Sequence, residues 1–194
     1  MPDTENVPDP RPQLRRAVAQ FAAVAAAVRP ERLDDPTPCT EYDVRGLLGH
    51  VVAVDHTLAG VASSGGYRPS GPPAAPQVAD DGWVAALDEA GDRLVAAWDD
   101  ESVLTAMYDV PWGKSPGYSV ISFLVMETVV HTWDLNEALG RHVALDPELS
   151  ELALKVAETL PSEGRAGGFD AARPAPEGAD VHTRLAARTG RSVD

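Results

Sequence analysis

The sequence holds one cysteine, Cys39, which rules out an intrachain disulfide framework and suits a reducing cytoplasm. Cationic side chains are scarce: 16 Lys and Arg stand against 30 Asp and Glu, for a net charge of −14. Nucleic acid is therefore not an expected partner, because binding it rests on neutralising phosphates, and polyanionic membrane surfaces are disfavoured for the same reason. Long apolar runs are missing too, so no stretch is expected to span a bilayer. The alanine-rich run after Arg15-Arg16 is short, and Leu14, Val18, Phe21, Ala25 and Val28 give it a helical stripe rather than the core of a signal peptide. Strand patterns are almost absent.

What remains is enough for one well-buried core: 194 residues, 44% of them hydrophobic. Residues 1–12 are rich in proline and acid without periodicity, and are expected to form a flexible tail. Helical periodicity predicts helices over about 13–28, 40–62, 82–98 and 119–139, with a shorter fifth over 147–160. Pro30 closes the first helix, Thr40-Glu41-Tyr42-Asp43 opens the second as a near capping box, and Gly140 closes the fourth. Val103 to Val110 is expected as a short strand and Pro111-Trp112-Gly113 as a turn. Residues 63–81 form a Gly/Pro-rich loop of the length that is either functional or disordered. A linker then leads to a final helical piece, Val181 to Ala187. These elements predict an all-α fold. A four-helix bundle over 13–160 carries the short fifth helix, and a C-terminal extension, 161–194, packs on the bundle.

The chemistry begins on the fourth helix. Glu127 and His131 are four residues apart, on the face that also carries Leu124, Thr128 and Leu135. A carboxylate and an imidazole facing a core need a partner, and a metal ion would serve. His50 on the second helix lies beside the stripe of Leu47 and Val54, with small Gly46 and Ala53 leaving room. Bundles build metal sites from inward-facing side chains on different helices, so His50, Glu127 and His131 form a candidate three-ligand set. With zinc such a set leaves one position open, as catalytic sites do. The rival reading is a hydrogen-bonded histidine in a core. Asp134, three residues after His131, is the candidate catalytic carboxylate, orienting a ligand or touching substrate, or else a solvated or capping group. His56 is turned about 120° from His50, and His142 and His182 lie in or beside loops, so none of the three is expected as a ligand. Cys39 has no cation near it in sequence and reads as a small buried residue. Trp83, Trp98 and Trp133 read as core or pocket walls. Gly113-Lys114-Ser115 mimics the end of a phosphate-binding loop but lacks the preceding glycine and the strand-loop-helix unit.

The chain resembles the DinB-like superfamily of metal-binding helical bundles, in the largely actinobacterial branch that contains the N-terminal domain of mycothiol-dependent maleylpyruvate isomerase. The resemblance is carried by Thr37-Pro38-Cys39-Thr40-Glu41-Tyr42-Asp43-Val44-Arg45, by Leu47-Leu48-Gly49-His50-Val51-Val52, by Pro111-Trp112-Gly113 and by Glu127 to Leu135. Pro176-Glu177-Gly178-Ala179-Asp180, Thr183-Arg184-Leu185 and Gly190-Arg191 add to it. It implies that His50 supplies the first metal ligand and Glu127 and His131 the other two. It also implies zinc, or another divalent ion, and a small thiol such as mycothiol as cosubstrate, activated for attack on a small electrophile in a transferase- or isomerase-like reaction. A hydrolase or lyase using water, or a non-catalytic metal- or ligand-binding protein, would fit the same three ligands. The isomerase has a further C-terminal domain that supplies an arginine to its substrate. Too few residues follow the fifth helix here for such a domain, and Arg165, Arg173, Arg184, Arg188 and Arg191 cannot be matched to that role by sequence, which weighs against isomerisation itself. The expected partners are small molecules, and a homodimer is compatible with the sequence.

Overall fold

The computed structural model describes residues 7–67, 77–140, 143–163 and 169–193. Six α-helices and one two-stranded hairpin make up its regular structure, along with two short 3-10 turns. The helices are α1 (Arg11–Ala25), α2 (Val44–Ser64), α3 (Trp83–Ala97), α4 (Gly117–Ala138), α5 (Pro147–Glu158) and α6 (Val181–Arg188). Strands β1 (Met107–Val110) and β2 (Gly113–Pro116) pair antiparallel across the Pro111-Trp112 turn. The expected all-α bundle is present. Its contacts close a ring, α2 on α3, α3 on α1, α1 on α4 and α4 on α2, while α5 lies on α4 and α6 on α5. No helix among the described residues is long and apolar enough to cross a membrane.

The expected elements recur with shifted ends. The first helix starts at Arg11, inside the expected tail, with buried Pro10 as its N-cap residue and Pro12 in its first turn. Residues 1–6 of that tail lie outside the described residues. The second helix is capped by Asp43, not opened at Thr40: the Asp43 carboxylate accepts a hydrogen bond from Gly46 N at 2.7 Å. The next N–H groups, of Val44 and Arg45, donate to the carbonyls of Asp35 and Leu33, so the proline-rich lead-in docks on the helix start. Of the expected strand, Val103 and Leu104 belong instead to a 3-10 turn over Glu101–Leu104, and only Met107–Val110 pairs. Its partner β2 was not expected, since Gly113-Lys114-Ser115-Pro116 has no strand-like alternation. The predicted 63–81 loop begins after α2 has run to Ser64, and 68–76 fall outside the described residues.

Helix α4 departs most from an amphipathic surface helix. Every residue from Leu124 to Asn136 is buried, as in a helix that is wrapped on all sides. One apolar cluster packs around its first half, including Val120, Ile121, Leu124, Val125 and Val129, and holds Leu149 and Leu154 of α5 and Leu185 of α6. A second cluster holds Leu135 with Leu47, Leu48 and Val51 of α2 and Leu87 of α3. The hairpin region lies close to the end of α2 and to the start of α4. Tyr67 N, beyond the end of α2, donates to Asp109 O at 2.6 Å. At the start of α4, a Cβ on Gly117 would lie 1.9 Å from the Val103 carbonyl oxygen, so only glycine lets the helix approach this closely.

Candidate active site

Between α2 and α4 lies a pocket of about 620 Å3, and His50, Glu127 and His131 all face it. Each helix delivers its residue through ordinary periodicity: His50 follows Leu47 on α2 by three, and Glu127 and His131 follow Leu124 and Thr128 on α4 by three. His50 Nε2 lies 2.8 Å from Glu127 Oε1, and His131 Nε2 lies 3.5 Å from the same oxygen. One donor atom from each of the three residues fits within a 4.8 Å span. A tetrahedral ion with bonds of about 2.0–2.2 Å holds neighbouring donors roughly 3.3–3.5 Å apart. The His131–Glu127 spacing of 3.5 Å matches this as it stands. The His50–Glu127 hydrogen bond would have to open by about half an ångström. The donor set of two imidazoles and a carboxylate suits a divalent ion, and so does a protein surround that already fixes the ring edges.

Those ring edges are held from behind. The Tyr42 hydroxyl and His50 Nδ1 share a hydrogen bond of 3.2 Å, and the two rings stack at 4.9 Å between centroids. His131 Nδ1 donates to Asp134 Oδ2 at 3.0 Å, which turns Nε2 toward Glu127 and the pocket. Asp134 is held in turn by Arg191, with Nε donating to Oδ1 at 3.1 Å and Nη2 to Oδ2 at 2.7 Å. Arg191 Nη1 donates to the Thr189 carbonyl, and the guanidinium lies 5.2 Å from the centre of the Phe169 ring. The chain reaches this position through Gly190, whose φ is +88° and where a Cβ would come within 2.6 Å of Asp170.

Charge follows from these contacts. Burial pushes the Glu127 carboxyl up, but hydrogen bonds from His131 and His50 outweigh it and hold the group well below the usual carboxylate range. For His131, burial favours the neutral ring, yet Asp134 and Glu127 together raise it to about 9. Asp134 is likewise lowered, its desolvation outweighed by His131 and Arg191. Metal binding at His131 would therefore displace a proton.

The predicted residues separate cleanly. His50, Glu127 and His131 come together, and Asp134 stands behind His131 fully buried, which excludes the solvated or capping alternative. His56 does not line the pocket, and His182 pairs with Ser150 Oγ at 2.7 Å on α5. His142 and Arg165 lie outside the described residues. Trp83, Trp98 and Trp133 are buried away from the pocket, and Trp98 Nε1 donates to Leu58 O. Cys39 is half-buried rather than buried, and it lines the pocket beside Arg191. Burial raises its thiol above the ordinary range against the opposing charge of Arg191. With His131 and Asp134 it forms a second close donor group, but the Asp134 oxygens are already taken by Arg191 and His131. Several pocket residues carry no site signal in the sequence, among them Tyr67, Phe123, Phe169, Trp112 and Arg191. Arg191 has no assignable role by sequence, and Trp112 reads as part of a turn and of the family resemblance, yet both line the pocket.

A model of the mycothiol maleylpyruvate isomerase N-terminal domain matches residues 14–136, which span α1 to α4 and all three candidate ligands. The chain belongs to that family. It is 34% identical, over 188 residues, to uncharacterized proteins from two strains of Mycobacterium tuberculosis, covering 95% of this chain and 99% of theirs. Among solved structures it is similar to the mycothiol-dependent maleylpyruvate isomerase, with a TM-score of 0.62 at 13% identity. A histidine-to-alanine mutant of that enzyme superposes with a TM-score of 0.57. Both alignments cover 76% of this chain and 65% of the enzyme, so this chain spans somewhat less than two thirds of it. At that identity the likeness establishes the shared bundle and nothing of the reaction.

Proposed function

We propose that this member of the mycothiol maleylpyruvate isomerase N-terminal domain family holds a divalent ion, zinc by its donor set, with His50, Glu127 and His131. We further propose that it transfers a small thiol, with mycothiol the leading candidate, to a small electrophile. The observation that carries this reading is the convergence of two imidazoles and a carboxylate, from two helices, on one pocket. The bound ion would supply Lewis acidity, lowering the pKa of a thiol placed beside it so that the thiol reacts as its anion.

The protein's own part is to hold and orient. Glu127 brings the one negative charge of the donor set, already ionised before any ligand arrives. Asp134 fixes the tautomer of His131 by accepting from Nδ1, leaving Nε2 to face the pocket. Tyr42 shares a hydrogen bond with His50 Nδ1 and stacks on its ring, which holds the ring in place. Arg191 keeps Asp134 ionised and in place. Val54, Leu58 and Phe123 line the pocket beside the donors and lower its dielectric, which strengthens the electrostatics there.

The test is metal analysis of the purified protein beside His50→Ala and His131→Ala, followed by mycothiol titration of the cobalt-substituted protein. The reading expects stoichiometric metal in the wild type, loss of it in both variants, and a shift of the cobalt absorption on adding mycothiol. Full occupancy in both variants would overturn the ligand set. An unchanged cobalt spectrum would overturn the thiol.

A further inference from the structure

A second, smaller cavity of about 230 Å3 lies between the lead-in to α2 and the chain on either side of α6. It shares Cys39, Glu41 and Arg191 with the donor pocket, so these residues border both. The rest of its lining differs in kind. The donor pocket has Val54, Leu58, Trp112 and Phe123, whereas the small cleft has no aromatic residue and no apolar one larger than Pro38. Its residues are hydroxyl-bearing, such as Thr40 and Ser192, acidic, Glu41 and Asp170, or basic, Arg173 and Arg191.

Both banks of the cleft are pinned. Thr37 Oγ1 donates to the Tyr42 carbonyl at 2.7 Å, which holds the turn that carries Cys39 to Glu41. Opposite, Arg173 N donates to Ala187 O at 2.8 Å, and Arg191 is tied to Asp134. Walls fixed before a ligand arrives lose little entropy on binding it. The shared wall also reaches the donor set, since Cys39 Sγ lies within 4.8 Å of a ring nitrogen of His131.

A hydroxyl both donates and accepts, a carboxylate only accepts and a guanidinium only donates. A lining that mixes all three, with two acidic and two basic residues cancelling in formal charge, matches a ligand rich in hydroxyl groups. We propose that the cleft is a subsite for a hydroxyl-rich, sugar-like group, carried by the thiol whose sulfur goes to the donor set. The inference rests on the proposed thiol transfer for what carries that group. The cleft itself needs no metal.

The test separates the two. The cobalt-substituted protein is titrated with mycothiol and with N-acetylcysteine, which has the same sulfur-bearing part without the sugars. The thiol-free N-acetylglucosaminyl-inositol is then titrated into metal-loaded and metal-stripped protein, with binding read by saturation-transfer NMR. Both series are repeated in Thr40→Val and Arg173→Ala. Each residue is exposed and outside the donor set, so metal content serves as the control for folding. Expected are binding of mycothiol at least about tenfold tighter than of N-acetylcysteine, a loss of that preference by about two- to tenfold in each variant, and sugar binding with or without metal. Equal affinity for the two thiols, or a full preference in both variants, overturns the inference. Absence of sugar binding beside a normal mycothiol shift also overturns it and leaves the thiol reading standing. Sugar binding with a silent cobalt spectrum strikes the thiol reading and the carrier together, and supports the subsite for a hydroxyl-rich ligand of another kind.

Discussion

Arg191 and Asp134 are 57 residues apart in sequence and meet as a two-point ion pair, with both side chains almost wholly buried. The Asp134 carboxylate also receives His131 Nδ1 at 3.0 Å, so a residue near the C-terminus acts on a candidate metal ligand through one intermediate group. The fork of the guanidinium matters here, because two parallel hydrogen bonds fix the plane of the carboxylate as well as its position.

Truncation of this pair should be felt twice. Arg191→Ala leaves Asp134 buried without its cation and should cost about 3–5 kcal/mol of stability, read by urea unfolding. Arg191→Lys keeps the charge but not the fork, and should preserve most of the stability. In both variants zinc affinity, measured by competition with a chelating dye, should fall by about 10–100-fold as His131 loses its orientation. Wild-type affinity in Arg191→Lys would show that charge alone suffices.

The metal-stripped protein should lose stability as pH rises through the upper range. His131 is raised from its ordinary value to about 9, held protonated by Asp134 and Glu127 against burial. A group whose folded pKa lies above its unfolded value contributes fully below the unfolded value, near 6.5, and that contribution is lost as pH passes through about 9. Unfolding free energy of the stripped protein should therefore decline between those limits. Zinc affinity should climb over the same interval, since the ion and the proton compete for one nitrogen. A flat stability profile for the stripped protein would mean that His131 is neutral there.

Asp55 on α2 is 4% exposed, and burial, then the nearby charge of Glu127, push its carboxyl well above the ordinary range. For an acid with a raised folded pKa, stability is greatest below its unfolded value of 3.8 and falls as pH rises above that. Asp55→Asn cannot ionise and escapes the penalty. It should be more stable than wild type near pH 8 and about equal to it near pH 4, in paired denaturant titrations. A loss of stability at pH 8 would show that the carboxylate itself is needed.

The bundle and the three candidate ligands were legible because each rests on local pattern. His50, Glu127 and His131 sit on long, uninterrupted helices whose apolar spacing fixes which way each side chain points. Arg191 was not legible, because its approach depends on a chain reversal at Gly190 and on how α6 packs against α5, which no local spacing encodes. Asp43 displaced Thr40 as the cap of α2 because carbonyls from Leu33 and Asp35 bind the first N–H groups, a contact supplied from outside the helix. Strand β2 escaped notice for a similar reason: Lys114 and Ser115 pair with Asp109 and Tyr108 through backbone alone, and their side chains carry no strand signal.

Because α4 is wrapped on every side from Leu124 to Asn136, almost any exchange along that stretch disturbs packing as well as chemistry. Relatives that diverge in what they accept are therefore expected to keep this helix and vary the parts that only border the cavity. The Pro111-Trp112 turn and the pocket-lining positions of α2 around Ala53 and Thr57 are the places where new specificities can arise without rebuilding the interior.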